Sequence, residues 1–481
     1  MLRFSRNVLF LFGSSIGNSL LAFLFAAYAT RRLNTGEFGK FSTVQIFVTS
    51  LTVLTEVGLT QVAIREVAQK KEQTFYIAGN LLTLKALLGL VGFIFAISLA
   101  FILRYDTQTQ ILIFIYSLSL IFLSISNAAV AIFSGHERMA FSTAINWGTA
   151  LGNALSILVL LLGYGLPAIF ISLVASTFLT TILCIGFLRR HFSVSSLIMA
   201  DLSLWKRYLI TGLPFGLMAI MGSAGVSIGP IMLSRLVGEI EVGYFNAAFK
   251  IVNILNLIIA AYNLAVYPVF SRLYSSSQEK LQFSYELSMK IMLVVGLPVA
   301  IGMTVIADKL ILLTFPKYIL ATPALQILVW FWFFSLLATP VLNLLYAEKR
   351  ENEAVIVTLI AVILCLISNF ILIPFIGLVG VCVGFVLLTV VQFFAAYVRI
   401  SQKYQTDSLA IVIAKTSLIS LLIAALGIFF HSWNLYFLMF AMLGVWGVSF
   451  MILQLFDNEE WNIIAELPMM NKLRQVVMHA R

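Results

Sequence analysis

Long apolar stretches alternate with short polar or charged segments along almost the whole chain. A helix that crosses a bilayer needs about 20 mostly apolar residues, and its backbone polar groups must be paired internally because lipid offers no partners. The pattern therefore predicts an all-α integral membrane protein with about fourteen transmembrane helices. The predicted spans cover residues 8–30, 41–62, 77–103, 110–134, 142–163, 166–188, 208–234, 243–267, 289–307, 319–346, 355–374, 377–398, 409–431 and 434–456.

The composition supports the same fold class. Hydrophobic residues make up 61% of the chain and charged residues 10%, with a mean hydropathy of +1.03, whereas a soluble domain carries about a quarter charged residues. A transmembrane β-barrel would show short segments of alternating polarity, and the long uninterrupted runs here do not.

The excess of basic residues indicates topology. There are 30 Lys and Arg against 20 Asp and Glu, and most of the basic ones lie in short loops, so we predict no nucleic-acid partner. With the N-terminus inside, twenty Lys or Arg fall on the inner side and seven on the outer side. This bias predicts that both termini are cytoplasmic.

Two inner segments mix basic ends with apolar residues. The linker at 189–208 and the tail after Asp457 both have this composition, which is typical of helices that lie in the membrane interface.

The chain contains an internal repeat. The stretch RRLNTGEFGKF at 31–41 recurs as RLVGEIEVGYF at 235–245, with a constant offset of 204 residues. The turn GHERM at 135–139 likewise matches EKRE at 348–351. The repeat predicts two six-helix lobes related by a pseudo-twofold axis, residues 1–200 and 201–403, followed by two helices and a cytoplasmic tail, 404–481. Paired bundles of this kind are a common transporter plan, with the substrate path between them.

Several segments resemble a known family. They are LNTGEFGKFSTVQIFVTSLTVLTEVGLTQVAIREVA (33–68), GEIEVGYFNAAFKIVNIL (238–255), YPVFSRL (267–273) and PFIGLVGVCVG (374–384). In span count, repeat and motif order, the chain resembles the polysaccharide-transport branch of the multidrug/oligosaccharidyl-lipid/polysaccharide (MOP) exporter superfamily, including O-antigen repeat-unit flippases.

The resemblance implies a function. A protein of this branch would be a transporter and not an enzyme. It would move undecaprenyl-diphosphate-linked oligosaccharide across the bacterial inner membrane by alternating access, and a polysaccharide polymerase and a chain-length regulator are expected partners. We expect no bound cofactor, and coupling to a proton or sodium gradient is a further expectation.

Charged side chains inside spans are costly, so they usually face protein or water and serve a function. A diphosphate crossing the bilayer needs cations in a wet cavity, and the candidates are Lys250, Lys85, Arg31 and Arg235, with Asn253 as a polar neighbour of Lys250. The alternative is that Arg31, Arg235 and Lys85 only extend toward head groups at the span ends.

Glu56 has two interpretations. It can pair with a basic residue, which we favour, or it can be the protonatable group of an ion-coupled cycle. The glycines and prolines of span seven, including Pro214 and Pro230, indicate either a helix that bends during transport or tight packing through small residues.

Two other functions remain open at this point. A membrane-embedded polysaccharide polymerase or glycosyltransferase would be expected to show a large external loop or intramembrane acidic residues, which are scarce here. A drug or cation antiporter of the same superfamily would fit better with more acidic residues in the N-terminal lobe. The sequence has no GxxxxGK[ST] motif for ATP hydrolysis, and its four histidines have no metal-site spacing.

Overall fold

The computed structural model describes residues 2–138, 141, 143–192, 198–404, 409–453, 455, 456 and 460, with side chains described from residue 13 onward. All regular structure in these residues is helical. The helices are α1 (Leu2–Arg32), α2 (Thr35–Ser50), α3 (Thr52–Glu56), α4 (Leu59–Gln69), α5 (Thr74–Ile102), α6 (Thr107–Gly135), α7 (Ala144–Leu161), α8 (Leu166–Phe192), α9 (Leu202–Leu236), α10 (Glu239–Ser276), α11 (Gln278–Val305), α12 (Ala307–Thr314), α13 (Thr322–Ala347), α14 (Glu351–Ser401), α15 (Leu409–Phe429) and α16 (Leu435–Ile452). Short 3₁₀ segments cover Lys71–Gln73 and Pro316–Ala321.

The predicted all-α membrane fold is confirmed. In the described residues, 12 helical stretches are long and apolar enough to cross a bilayer. One of them, α14, has 51 residues and breaks at Gly377 (φ 50°, ψ −122°), so it supplies two spans that divide where the sequence predicted. The N-terminal helix α1 has 31 residues and is an additional span-length helix. These two features account for the difference between twelve stretches and fourteen predicted spans.

The second predicted span, 41–62, is longer than expected and is broken. Its helical residues run from Thr35 to Gln69 in three pieces. α2 and α3 adjoin at Leu51, which stays right-handed, whereas α3 and α4 are separated by Val57 (φ 42°) and Gly58 (φ 70°), which adopt left-handed backbone conformations. Left-handed residues cannot continue a right-handed helix. The sequence did not predict this helix break, because a β-branched residue such as Val57 rarely adopts a left-handed conformation. Packing against neighbouring residues in the fold maintains that conformation.

The prediction of an interfacial helix at 189–208 is wrong for the residues of this segment that the structure describes. α8 extends to Phe192, Ile198–Ala200 are non-helical, and α9 begins at Leu202. Residues 193–197 lie outside the described part, as does the tail after Asp457 except for Glu460.

Asp201 explains why α9 begins where it does. Its Oδ1 accepts hydrogen bonds from the backbone N–H groups of Ser203 (2.9 Å) and Leu204 (3.2 Å), which satisfies donors at the helix start. Hydrogen bonds from the Ser203 and Tyr76 hydroxyls lower the pKa of Asp201 to about 2. The carboxylate therefore stays charged and caps the helix at any physiological pH.

The chain forms two compact units. The first comprises Met1–Leu257, Phe315–Ala321 and Val362–Phe385; the second comprises Ile258–Thr314, Thr322–Ala361 and Val386–Arg481. The core of the first unit joins α4, α5, α6, α8 and the start of α9 through residues such as Leu81, Ile132 and Leu188. The core of the second joins α11, α15 and α16. The lobes 1–200 and 201–403 are defined by the sequence repeat and stay a prediction.

Within the first unit, equivalent residues of the repeat touch each other. Gly39 lies against the backbone of Glu239, and Gly243 lies against Gly39 and the carbonyl oxygen of Thr35. Asn246 donates a hydrogen bond to the Ser42 hydroxyl (2.8 Å). The pairs Thr35 and Glu239, Gly39 and Gly243, and Ser42 and Asn246 are each 204 residues apart. Residues related by a twofold axis contact each other only at that axis, so the predicted pseudo-twofold axis would pass between α2 and α10.

This contact generates a stability prediction for Gly39→Ala. A Cβ at Gly39 would lie 2.7 Å from the carbonyl carbon of Glu239, and a backbone cannot move aside as a flexible side chain can. Overpacking of this kind costs about 1–3 kcal/mol, so the purified variant should unfold at a lower temperature in detergent.

Gly222→Ala is the matched control, because Gly222 also lies in a membrane-spanning helix but has nothing within 4 Å of an added Cβ. It should unfold at the wild-type temperature or slightly above. A Gly39→Ala protein as stable as the Gly222→Ala protein would contradict the contact.

Candidate functional site

Two of the predicted site residues form an ion pair inside the membrane-spanning part. Lys85 on α5 is fully buried, and its Nζ lies 2.7 Å from Oε2 of Glu56 at the end of α3. The two opposite charges are therefore in direct contact. The structure thus brings Lys85 and Glu56 together as partners.

Two polar neighbours complete the surroundings of Glu56. Asn127 on α6 donates to Oε1 (2.6 Å), and the hydroxyl of Thr60 on α4 donates to Oε2 (2.6 Å). Both carboxylate oxygens therefore accept hydrogen bonds in addition to the charge of Lys85. Lys85 and two hydrogen-bond donors thus satisfy the carboxyl group of Glu56 in a medium where an unpaired polar group would be very costly.

The helix break next to Glu56 is covered by protein. A Cβ at Gly58 would lie 2.8 Å from the backbone nitrogen of Gly216 on α9, and one at Gly212 would lie 2.6 Å from the carbonyl oxygen of Val57. Only glycines on α9 allow this approach, so small-residue packing accounts for Gly212 and Gly216. Pro214 and Pro230 lie inside a continuous α9. Bending of this helix stays a hypothesis.

Lys250 occupies a different environment on α10. Its side chain is half-buried, and among the described residues its ammonium has no hydrogen-bond or ion-pair partner. Asn253, one turn further, is exposed and accepts a hydrogen bond from Asn256 (3.1 Å). Residues three apart share a helix face, so α10 presents a cation next to two amides.

Arg31 and Arg235 are exposed at equivalent ends of α1 and α9. The ammonium of Lys317 donates to the carbonyl oxygens of Arg31 (2.9 Å) and Leu33 (3.2 Å), which satisfies acceptors at the end of α1. The Arg235 guanidinium lies 4.9 Å from the ring centre of Tyr105, and burial raises the pKa of Tyr105 to about 12, so the ring is neutral. This packing is a cation–π contact at a span end.

The predicted residues do not form one cluster. Glu56 and Lys85 pair with each other, whereas the contacts of the described residues join Lys250 neither to that pair nor to the two arginines. Sequence reasoning missed Thr60 and Asn127. Thr60 lies four residues after Glu56, but the backbone break makes that spacing uninformative, and Asn127 is distant in the sequence.

Among the described residues, no three His, Cys, Asp or Glu side chains are placed to hold a metal ion.

Comparison with known families gives two matches. The family described as "Polysaccharide biosynthesis protein" matches residues 4–274, more than half of the 481-residue chain. The family described as "Lipid II flippase MurJ" matches residues 230–456.

Similar proteins include an uncharacterized membrane protein in the cps region of Klebsiella pneumoniae. It is 22% identical over 391 residues, which cover 80% of this chain and 79% of that protein. An uncharacterized membrane protein of Methanocaldococcus jannaschii is 30% identical over 188 residues, 37% of each chain.

Solved structures show the same fold. The inward closed conformation of the lipid II flippase MurJ has a TM-score of 0.76 at 12% identity, covering 92% of this chain and 98% of that one. An inward-facing multidrug resistance MATE transporter of the MOP superfamily has a TM-score of 0.61 at 17% identity, covering 83% and 98%. The resemblance inferred from the motifs is confirmed: the chain belongs to the polysaccharide biosynthesis protein family and has the fold of MurJ and the MATE transporters.

Proposed function

We propose that this protein is a flippase that moves a lipid-linked oligosaccharide, carried on undecaprenyl diphosphate, from the cytoplasmic to the outer face of the bacterial inner membrane. The observation that carries the proposal is the match of residues 4–274 to the polysaccharide biosynthesis family on a fold shared with a lipid II flippase. O-antigen or another surface polysaccharide would then be the final product.

Lys250 fits the needs of such a substrate. A diphosphate in a low-dielectric layer requires a cation, and Lys250 is half-buried with no competing carboxylate among the described residues. Asn253 and Asn256 on the same face offer amide groups that can hydrogen-bond sugar hydroxyls. The lipid tail can remain in the bilayer while the head group crosses.

The Glu56–Lys85 pair favours an anionic substrate over a drug cation. A cation exporter would use an intramembrane carboxylate to attract its substrate, but the charge of Glu56 is already matched by Lys85 and by two hydrogen bonds. We therefore assign Glu56 to charge pairing that supports the α3–α4 break. Coupling to a proton or sodium gradient would then depend on another group.

The proposed direction of transport rests on the predicted topology. The excess of Lys and Arg on one side predicts that both termini are cytoplasmic, which is the side on which a lipid-linked oligosaccharide would be assembled. A polysaccharide polymerase and a chain-length regulator would act on the product at the outer face.

One prediction of this proposal is that Lys250→Ala should lose most export while the protein level stays normal, because the diphosphate loses its cation. Lys250→Arg should keep part of the activity. The measurement is surface polysaccharide, together with lipid-linked oligosaccharide on the cytoplasmic face, in a strain lacking the chromosomal copy. Losing a charge-assisted contact should slow transport about tenfold or more.

Lys280→Ala is the control, since Lys280 is an exposed lysine at the start of α11 and should be dispensable. Full export by Lys250→Ala would refute the role of Lys250. Unpolymerised product already outside the cell in the deletion strain would point to a polymerase instead of a flippase.

Another prediction separates pairing from ion coupling at Glu56. Glu56→Gln leaves the buried Lys85 without a counter-charge, and breaking a buried pair in this way costs about 3–5 kcal/mol. The variant should therefore unfold at a lower temperature in detergent. Combining it with Lys85→Met should restore most of the stability, because no buried charge remains.

Export by the double variant decides between the roles. If Glu56 only balances Lys85, export should return along with stability. A stable double variant that has lost gradient-dependent transport would show that Glu56 carries the coupling ion.

A further inference from the structure

A charged pocket lies between α4 and α9 in the first compact unit. Its volume is about 240 Å³, and its lining combines basic, acidic and hydroxyl side chains. The lining residues are Val62, Arg65, Glu66, Gln69, Lys70, Arg207, Tyr208 and Thr211. None of them belongs to the predicted transport residues.

The position of the pocket follows from the glycine contact between the same two helices. Gly58, at the start of α4, and Gly212 of α9 meet at backbone distance. From that contact toward the inner membrane face, the facing positions carry long side chains, with Arg65 about two turns from Gly58 and Arg207 more than one turn from Gly212. The pocket is therefore bordered by the polar ends of side chains and not by backbone atoms.

The charges in the pocket do not cancel. Arg65, Lys70 and Arg207 contribute three positive charges, and Glu66 contributes one negative charge. Glu66 pairs with Arg207 and lies 3.7 Å from Lys70, so one carboxylate holds two cations at the wall. Arg65 is exposed and has no ion-pair or hydrogen-bond partner among the residues that the structure describes.

A buried hydroxyl in this pocket is poorly satisfied. Tyr208 is 1% exposed, and its hydroxyl lies near the Glu66 carboxylate and the Arg207 guanidinium but makes no well-aligned hydrogen bond with any described residue. A buried donor without a well-aligned partner is costly and calls for an explanation, such as a bound group. A ligand rich in acceptor oxygens would satisfy the Tyr208 hydroxyl and the free guanidinium of Arg65 together.

Phosphate has the matching chemistry. Its oxygens accept hydrogen bonds in the forked geometry that guanidinium groups offer, and two arginines face this pocket. The inward bias of Lys and Arg explains why basic residues lie near this membrane face, but not why three converge on one cavity with a poorly satisfied hydroxyl.

We propose that this pocket binds the phosphate group of a lipid at the inner membrane surface. Resting on the proposed flippase function, the ligand would be the diphosphate of the lipid-linked oligosaccharide, held at the cytoplasmic face before translocation.

The test is a binding measurement that does not depend on transport. The full-length protein is placed in nanodiscs of phosphatidylcholine and titrated with farnesyl diphosphate, a short soluble polyprenyl diphosphate. Arg65→Gln and Arg207→Gln should each weaken binding about tenfold, because each removes charge-assisted hydrogen bonds. Lys206→Gln, a neighbouring exposed lysine outside the pocket, should bind like the wild type.

A second set of nanodiscs containing phosphatidylglycerol distinguishes the two sources of lipid phosphate. If phosphatidylglycerol leaves farnesyl diphosphate binding unchanged, the pocket is selective for the diphosphate. If it competes, and competition is lost in Arg65→Gln, the site takes the phosphate of bulk lipid. Both results support a lipid-phosphate site.

The proposal is overturned if Arg65→Gln and Arg207→Gln bind farnesyl diphosphate as tightly as the wild type. Arg65→Gln is the more decisive variant because Arg65 supports no ion pair, so its loss should leave the fold intact. Failure of the flippase function would look different: Lys250→Ala would export normally while the pocket variants still lost binding.

Discussion

The structure depends on one constraint: inside a bilayer, every backbone polar group and every charge must find its partner within the protein. Most of the chain satisfies this with uninterrupted helices. Two exceptions, the break at Val57–Gly58 and the buried charge of Lys85, lie next to each other. Gly212 and Gly216 of α9 cover the break, while Glu56, the last residue before it, balances the lysine. Packing against α9 thus accommodates the break, and the broken helix itself supplies the counter-charge.

Hydrophobic pattern predicted the spans well because the bilayer imposes it directly on the sequence. The division of α14 at Gly377 was also readable, since Pro374 and Gly377 are local signals. The break at Val57 was not, because its cause is the α9 backbone, more than 150 residues away. For the same reason, the sequence could single out Glu56 and Lys85 as unusual charges, but only the fold shows that they are partners. The segment 189–208 differs again: its composition is typical of an interfacial helix, but its residue Asp201 caps the start of α9.

The two copies of the repeat share a backbone contact but not their charged residues. At the offset of 204 residues, the position equivalent to Glu56 is Ala260, and the position equivalent to Lys250 is Ile46. The two copies therefore share the contact at Gly39 and Gly243 but carry different intramembrane charges: a neutralised pair in the first copy and an unpaired cation in the second. Under the proposed flippase function, such asymmetry would suit a site that holds an anion and then releases it, because one cation binds less tightly than a symmetric pair would.

The glycine contact on the axis has a consequence for the origin of the chain. If the repeat arose by duplication of a gene whose product formed a homodimer, the contact was once isologous, with the same glycine on both sides of the dyad. A single Gly→Ala mutation would then have placed two methyl groups at the contact, one from each subunit, so its destabilising effect would have been doubled. After fusion, each glycine can mutate alone, yet each still faces the backbone of the other copy. The two positions are expected to remain constrained long after the surrounding helices have diverged.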